Sequence, residues 1–232
     1  MTGVASELRR FDDGAGGAAP GAPALAVACL AWRLPRPMLV ASTASVGGGI
    51  GARDWVLNVQ VPMGYARRDI DAHVAEVAAA LSLVGAGVGM LTAAGVDRVA
   101  VGGEEDGVRV EATVGVSIPV WAAAPPDTPD GSGWARHEAG AGRPGTINVV
   151  AFVPVRHTDA ALANLLCTVT EAKVQALRDG GVPGTGTASD AVTVVCPAEG
   201  PAEPFGGPRA AWGAPVARAV YGALRTGLGS LE

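Results

Sequence analysis

The segment Thr158–Asp179, TDAALANLLCTVTEAKVQALRD, constrains the fold more than any other stretch of this chain. At about 100° per residue, Leu162, Leu165, Leu166, Val169, Ala176 and Leu177 share one face of a helix. Asn164, Thr168, Glu171, Gln175 and Arg178 share the other. Such a helix needs a second layer to cover its apolar stripe. Runs that read as strands flank it, Thr146–Val153 before and Ala191–Val195 after. Within the stripe stands Lys173, the single lysine in a chain with 17 Lys and Arg together. An ammonium there must be desolvated, snorkel or face a pocket, so chemistry is sought around it first. Asp97 and Asp190 are its candidate partners. Glu171 lies about 160° away around a regular helix and cannot point into the same pocket.

The remaining elements follow from apolar runs and their breaks. Ala24–Trp32 and Met38–Ala41 read as strands that could form a hairpin about Pro35 and Pro37. Trp55–Val61 is a strand carrying Asn58, Ile70–Val84 an amphipathic helix, and Val88–Leu91, Arg98–Val101 and Val108–Val116 are strands. Ala214–Leu228 is a last helix. Residues 1–23 are rich in Gly, Ala and Pro and read as a mobile terminus or short edge element, ahead of a single domain over 24–232. Residues 124–143 form a long loop.

Laid over Ile147–Val195, Leu57–Val101 pairs Asn58 with Asn148, Asp69 with Asp159, Thr92 with Thr185 and Asp97 with Asp190. The expected fold is therefore an α/β (α+β, mixed-sheet) sandwich. If the repeat is structural, two pseudo-symmetric strand-helix-strand halves span about 55–118 and 145–196. A ligand would then bind outside the strand ends, where the two Thr and Gly loops meet.

Composition narrows the function. With a net charge of −5 there is no basic footprint for nucleic acid and no polybasic membrane patch, so neither partner is expected. No stretch is long and apolar enough to span a membrane, and a cytoplasmic protein is expected. Cys29, Cys167 and Cys196 read as buried free thiols. His73, His137 and His157 show no metal-ligand spacing, so no metal site is expected. The oligomeric state is not set, and a homo-oligomer stays open.

The segment Gly184–Asp190, GTGTASD, combines small residues that let backbone approach a ligand with hydroxyls and a closing carboxylate. It reads either as a helix-to-strand turn or as a loop that binds an amide or oxyanion, with a Thr or Ser nucleophile. Asn58 and Asn148 stand in apolar strands, where a buried amide must find partners.

Six segments, GMLTAA (Gly89–Ala94), VGVSIPVWAA (Val114–Ala123), GTINVV (Gly145–Val150), TEAK (Thr170–Lys173), TGTASDAV (Thr185–Val192) and FGGPRAAWG (Phe205–Gly213), together resemble the adenosylcobinamide amidohydrolases of cobalamin salvage, in the same order. The resemblance runs from about Ser42 to Leu224. It implies hydrolysis of the amide joining a corrin ring propionate to the aminopropanol arm, giving adenosylcobyric acid. It implies a corrinoid as the small-molecule partner and no cofactor, the cobalt being part of the substrate. The matching motifs carry the expected site: Lys173, Glu171, Thr185 and Asp190 for chemistry, and Thr92, Ser117, Asn148, Thr187, Gly206, Gly207 and Arg209, with Asn58, for substrate. Water and a Thr or Ser hydroxyl both stay open as nucleophile. The competing readings are a non-catalytic corrinoid-binding protein and a Thr-nucleophile amidase for an unrelated small amide.

Overall fold

The computed structural model describes residues 4–11, 26–62, 64–125 and 145–229. The chain runs through β1 (Glu7–Arg10), β2 (Ala28–Ser42), β3 (Gly49–Gln60), α1 (Ile70–Ala80), β4 (Gly87–Thr92), β5 (Ala100–Glu105) and β6 (Val108–Val114). It continues through β7 (Ile147–Phe152), α2 (Asp159–Asp179), β8 (Ala191–Cys196) and α3 (Gly213–Gly229). Most of the expected loop 124–143, His137 within it, residues 1–3 and 12–23 of the terminus expected to be mobile or a short edge element, and residues 24–25 of the expected first strand lie outside the described residues.

The strands form one mixed sheet in the order β4-β3-β2-β8-β7-β6-β5, with β1 added to β2. The parallel pairs are β3 with β4 and β7 with β8, bridged by α1 and α2 as crossover helices. Strand alternation divides the core into three. Cys29, Ala31, Trp55, Leu57 and Val59 meet Val74 and Val77 of α1 on one outer face. Val110, Val149, Ala151 and Val194 meet Leu162, Leu165 and Val169 of α2 and Val216, Val220 and Leu224 of α3 on another. The intervening residues, Leu30, Trp32, Val40, Val56, Met90, Val150, Phe152 and Val195, pack together on the opposite side.

That third cluster gathers residues of β3 and β4 with residues of β7 and β8, and the sheet folds over on itself. In a flat sheet β3 and β7, with β2 and β8 between them, would lie roughly 14 Å apart. Here Asn148 Nδ2 donates to Asn58 Oδ1 at 2.8 Å across the interior.

Several expectations are corrected. The hairpin about Pro35 and Pro37 is instead one 15-residue strand, β2. Its register against β3 slips between Arg33 and Met38, and on its other edge β1 pairs only with Ala28–Ala31 and β8 only with Leu39–Ser42. The prolines, which lack an N–H, fall where the ladder is interrupted and a hairpin is not needed to place them. Helix α1 stops at Ala80 and not at Val84, because Ser82 and Gly85 take left-handed φ values of 54° and 89°. Cys167 is exposed, on the outer side of α2, while Cys29 and Cys196 are buried. Burial pushes the Cys29 thiol up to about 12.

Strand-helix-strand units do occur twice, but the loop correspondence of the repeat fails. The strand parallel to β3 is β4, which precedes the Thr92 loop; the strand parallel to β7 is β8, which follows the Thr185 loop. Asn58 stands opposite Met90 and Asn148 opposite Ala191. Asp97 consequently makes an exposed ion pair with Arg10 at 3.3 Å, far in role from Asp190.

His73 and His157 are 0% exposed. Burial lowers both imidazoles below the ordinary value of 6.5. The unfolded chain therefore binds protons that the folded chain refuses, so stability is full above pH 6.5 and lost as pH falls through the folded values. Urea midpoints should fall over this range, and the fall should flatten in His157→Gln.

Candidate active site

Thr158 caps α2, its hydroxyl accepting from Ala161 N at 3.2 Å. From this start the helix places Lys173 on the sheet-facing side, where Nζ lies 2.5 Å from Asp190 Oδ2 with the two side chains 8% and 9% exposed. Asp190 immediately precedes β8, and its carboxylate bridges the starts of both parallel strands. Oδ1 accepts Ile147 N at 2.9 Å and the Thr187 hydroxyl at 2.5 Å, while Oδ2 also accepts Thr187 N at 3.0 Å. Four donors thus meet the roughly four lone-pair positions of a carboxylate. A Cβ at Gly186 would overlap both Asp190 Oδ2 and Lys173 Nζ, so glycine is what lets the backbone pass beside the pair.

Thr185 has another task. Its hydroxyl accepts Ala122 N at 2.9 Å and donates to Val120 O at 3.3 Å, its own N–H bonds Val120 O, and Val120 N bonds Gly186 O. These bonds pin the loop after β6 against the loop before β8. The Thr185 hydroxyl is spent on structure, whereas Thr187 presents its oxygen to the carboxylate. Ser117 is buried, with its backbone N against Gly145, and Thr146 and Ser189 share a hydroxyl contact of 2.8 Å next to Asp190.

Behind this cluster runs a chain of amides. Asn58 Nδ2 donates to Thr113 Oγ1 at 2.9 Å, Asn148 Nδ2 donates to Asn58 Oδ1 and to Leu91 O, and Asn148 Oδ1 accepts Ala191 N at 3.2 Å. Asn58 and Asn148 are 1% and 2% exposed. They tie β3, β4, β6, β7 and β8 together and support the site from inside rather than line it. Thr92 is buried too, its hydroxyl accepting Ala94 N at 3.0 Å. Asn148→Ala would orphan Asn58 Oδ1 and Ala191 N, costing about 1–3 kcal/mol for each buried group, a loss that urea unfolding should register.

Glu171, Gly206, Gly207 and Arg209 are not brought to Lys173. Glu171 is exposed on the outer side of α2. Gly206 packs where a Cβ would strike Ala161 O, and its carbonyl accepts the Thr168 hydroxyl at 2.8 Å. Gly207 and Arg209, with Asn164, Glu203 and Phe205, line a groove of about 440 Å³ against the first half of α2. Asn164 precedes Lys173 by about 13 Å of helix rise. The six motifs therefore divide: segments of five join through the bonds around Asp190, Asn148 and Thr185, and FGGPR docks elsewhere on α2.

Two features were missed by sequence reasoning. Glu111 is 1% exposed, with the Ser6 hydroxyl 2.5 Å from Oε2 and an Arg109 guanidinium nitrogen 2.8 Å from Oε1. In VRVEATV its alternation reads as a solvent face; the folded-over sheet makes it an interior one. Trp121 is 54% exposed on the pinned loop, and an aromatic residue amid alanines was the available signal. Among the described residues no group of three His, Cys, Asp or Glu side chains converges to hold a metal, and no helix is long and apolar enough to cross a membrane.

A mixed α/β sheet with a crossover helix setting a buried Lys-Asp-Thr cluster at the starts of two parallel strands is the class of protein that fold and site define. The family model for adenosylcobinamide amidohydrolase (CbiZ) matches residues 22–231, and the chain belongs to that family. An adenosylcobinamide amidohydrolase of Halobacterium salinarum is 40% identical over 126 residues, 54% of this chain and 52% of that protein, so the chain aligns with about half the length of this relative. One of Methanosarcina mazei is 27% identical over 197 residues, 81% of this chain and 89% of its own. Among solved structures, the PH0078 protein of Pyrococcus horikoshii OT3 aligns over 97% of this chain and 82% of its own at a TM-score of 0.47 and 11% identity, a likeness too distant to carry fold or function.

Proposed function

We propose that this chain hydrolyses the amide between the corrin propionate and the aminopropanol arm of adenosylcobinamide, giving adenosylcobyric acid and the free amine. Family membership supports the substrate. The observation that carries the chemistry is the saturated carboxylate of Asp190, with the Thr187 hydroxyl on one oxygen and Lys173 on the other. With its lone pairs occupied, Asp190 has no position left for an incoming water, so the oxygen that meets the substrate is Thr187 Oγ1.

In this reading Thr187 Oγ1 attacks the amide carbonyl carbon while its proton passes to Asp190 Oδ1. The Lys173 ammonium holds Asp190 in place and lies beside the negative charge that develops on the carbonyl oxygen. The C–N bond breaks as the proton moves from Asp190 to the departing amine. Water then attacks the Thr187 ester and gives its proton to Asp190, which passes it to Thr187 Oγ1 as the ester C–O bond breaks, so the acid leaves and the Thr187 hydroxyl is restored. The cobalt stays in the substrate, and no resident metal or cofactor enters any step. The free cysteines support a reducing, cytoplasmic setting.

Chromatography of adenosylcobinamide incubations tests the reading. Wild type should yield adenosylcobyric acid, Thr187→Ser should retain turnover, and Thr187→Val should lose it by about 10²-fold or more. Hydroxylamine should intercept the ester as a hydroxamate. No product from wild type sinks the hydrolase reading; full turnover in Thr187→Val removes the threonine from the chemistry.

A further inference from the structure

We infer that the groove beside Trp121 seats the macrocycle of the substrate, with Trp121 as the residue that grips its flat face; this rests on the hydrolase reading above. The groove holds about 480 Å³ and is lined by Trp121, Ala122, Ala123, Ala124, Pro125 and Thr185. That volume lies within the roughly 300–1,000 Å³ of small-molecule sites, and among the described residues no charged side chain lines it. The described lining of alanines, proline and an indole suits a large apolar surface.

The loop that carries Trp121 is held rigidly. Val120 N to Gly186 O, Thr185 N to Val120 O, Ala122 N to the Thr185 hydroxyl and Ala124 N to Trp121 O measure 2.8 to 3.1 Å. Yet Trp121 and Ile118 are left 54% and 42% exposed. A fixed backbone that presents an indole to water pre-organises a stacking surface, because the binding partner need not order the loop. By contrast the groove at Phe205 is lined by the charged residues Glu203 and Arg209.

Continuity with the reacting atoms decides the occupant. Thr185 walls the groove, and two residues on Thr187 bonds Asp190, with Gly186 between them packed against the Lys173–Asp190 pair. A flat ring lying on Trp121 would project a side arm past Gly186 toward Thr187 Oγ1. A corrin, an extended flat macrocycle with amide arms at its rim, has that form. A small linear amide has an arm but nothing to place on the indole, so the groove also sets specificity.

Steady-state kinetics on adenosylcobinamide should show Trp121→Ala raising KM about tenfold or more with kcat within about threefold, and Trp121→Phe recovering most of the loss. In wild type, oxidative labelling of Trp121 read by mass spectrometry should fall when adenosylcobyric acid is bound, a readout that needs no variant to fold. Turnover by wild type with an unchanged KM in Trp121→Ala, or unprotected Trp121 in the saturated complex, overturns the stacking site alone. Absence of both turnover and binding in wild type overturns the hydrolase reading and this inference with it.

Discussion

Asp190→Ala is expected to lower stability by about 3–5 kcal/mol and to abolish measurable turnover, a larger stability loss than Lys173→Met should produce. The order follows from what each variant leaves behind. Without the carboxylate, Lys173 remains as an ammonium that is 8% exposed, and the N–H groups of Ile147 and Thr187 lose their acceptor. Without the ammonium, Asp190 still receives both N–H groups and the Thr187 hydroxyl, so the loss should be nearer 1–3 kcal/mol. Under the proposed mechanism both variants should lose activity, since one removes the proton acceptor and the other the charge that holds it. Urea unfolding with unchanged m-values, alongside the adenosylcobinamide assay, measures the two effects. If Lys173→Met proves the more destabilising, the carboxylate is not what organises the strand starts.

Gly186→Ala should retain the fold and reduce kcat by about 10²-fold or more. The added methyl would occupy space taken by Asp190 Oδ2 and Lys173 Nζ, so the pair must separate or the loop must lift, and either displaces Thr187. Gly200→Ala is the control. Gly200 has φ of 104° with open space around its Cβ position, so alanine there should cost about 1 kcal/mol through backbone strain and leave kcat intact. Circular dichroism matched to wild type, with kcat compared across the two variants, separates a steric effect at the site from a general cost of losing glycine. Equal activity in Gly186→Ala and wild type would mean that the Lys173–Asp190 contact is not needed for turnover.

Much of the fold was legible locally. Helical periodicity placed α2 and α3, and continuous apolar runs placed β7 and β8, within a few residues, because the two helices bury one face and the two strands bury both. The errors arose where a non-local contact decided the outcome. Two prolines read as a hairpin turn, yet β2 runs on because its ladder is already interrupted at that point on both edges. The matched Thr and Asp residues of the two loops suggested equivalent positions, but strand pairing puts β4 before its loop and β8 after it. Arg109, Glu111 and Thr113 alternate with Val108, Val110, Ala112 and Val114 as a solvent-facing edge would, and only the overfolded sheet turns that side inward.

The sequence by itself determined a helix with its single lysine on the packed face, a hydroxyl loop ending in an aspartate, and six motifs in an order that resembles one family. The first two are properties of spacing, which helix and strand periods translate into faces; the third is a resemblance carried by the motifs themselves. Tertiary structure alone decided that Asp190 and not Asp97 receives Lys173, that Thr187 and not Thr185 carries a hydroxyl aimed at the carboxylate, and that Asn58 and Asn148 meet across the interior. Each of these is a choice between residues of the same kind at similar local positions. Strand order, parallel register and the folding of one sheet onto itself set which of them come within hydrogen-bond distance, and no local pattern encodes that.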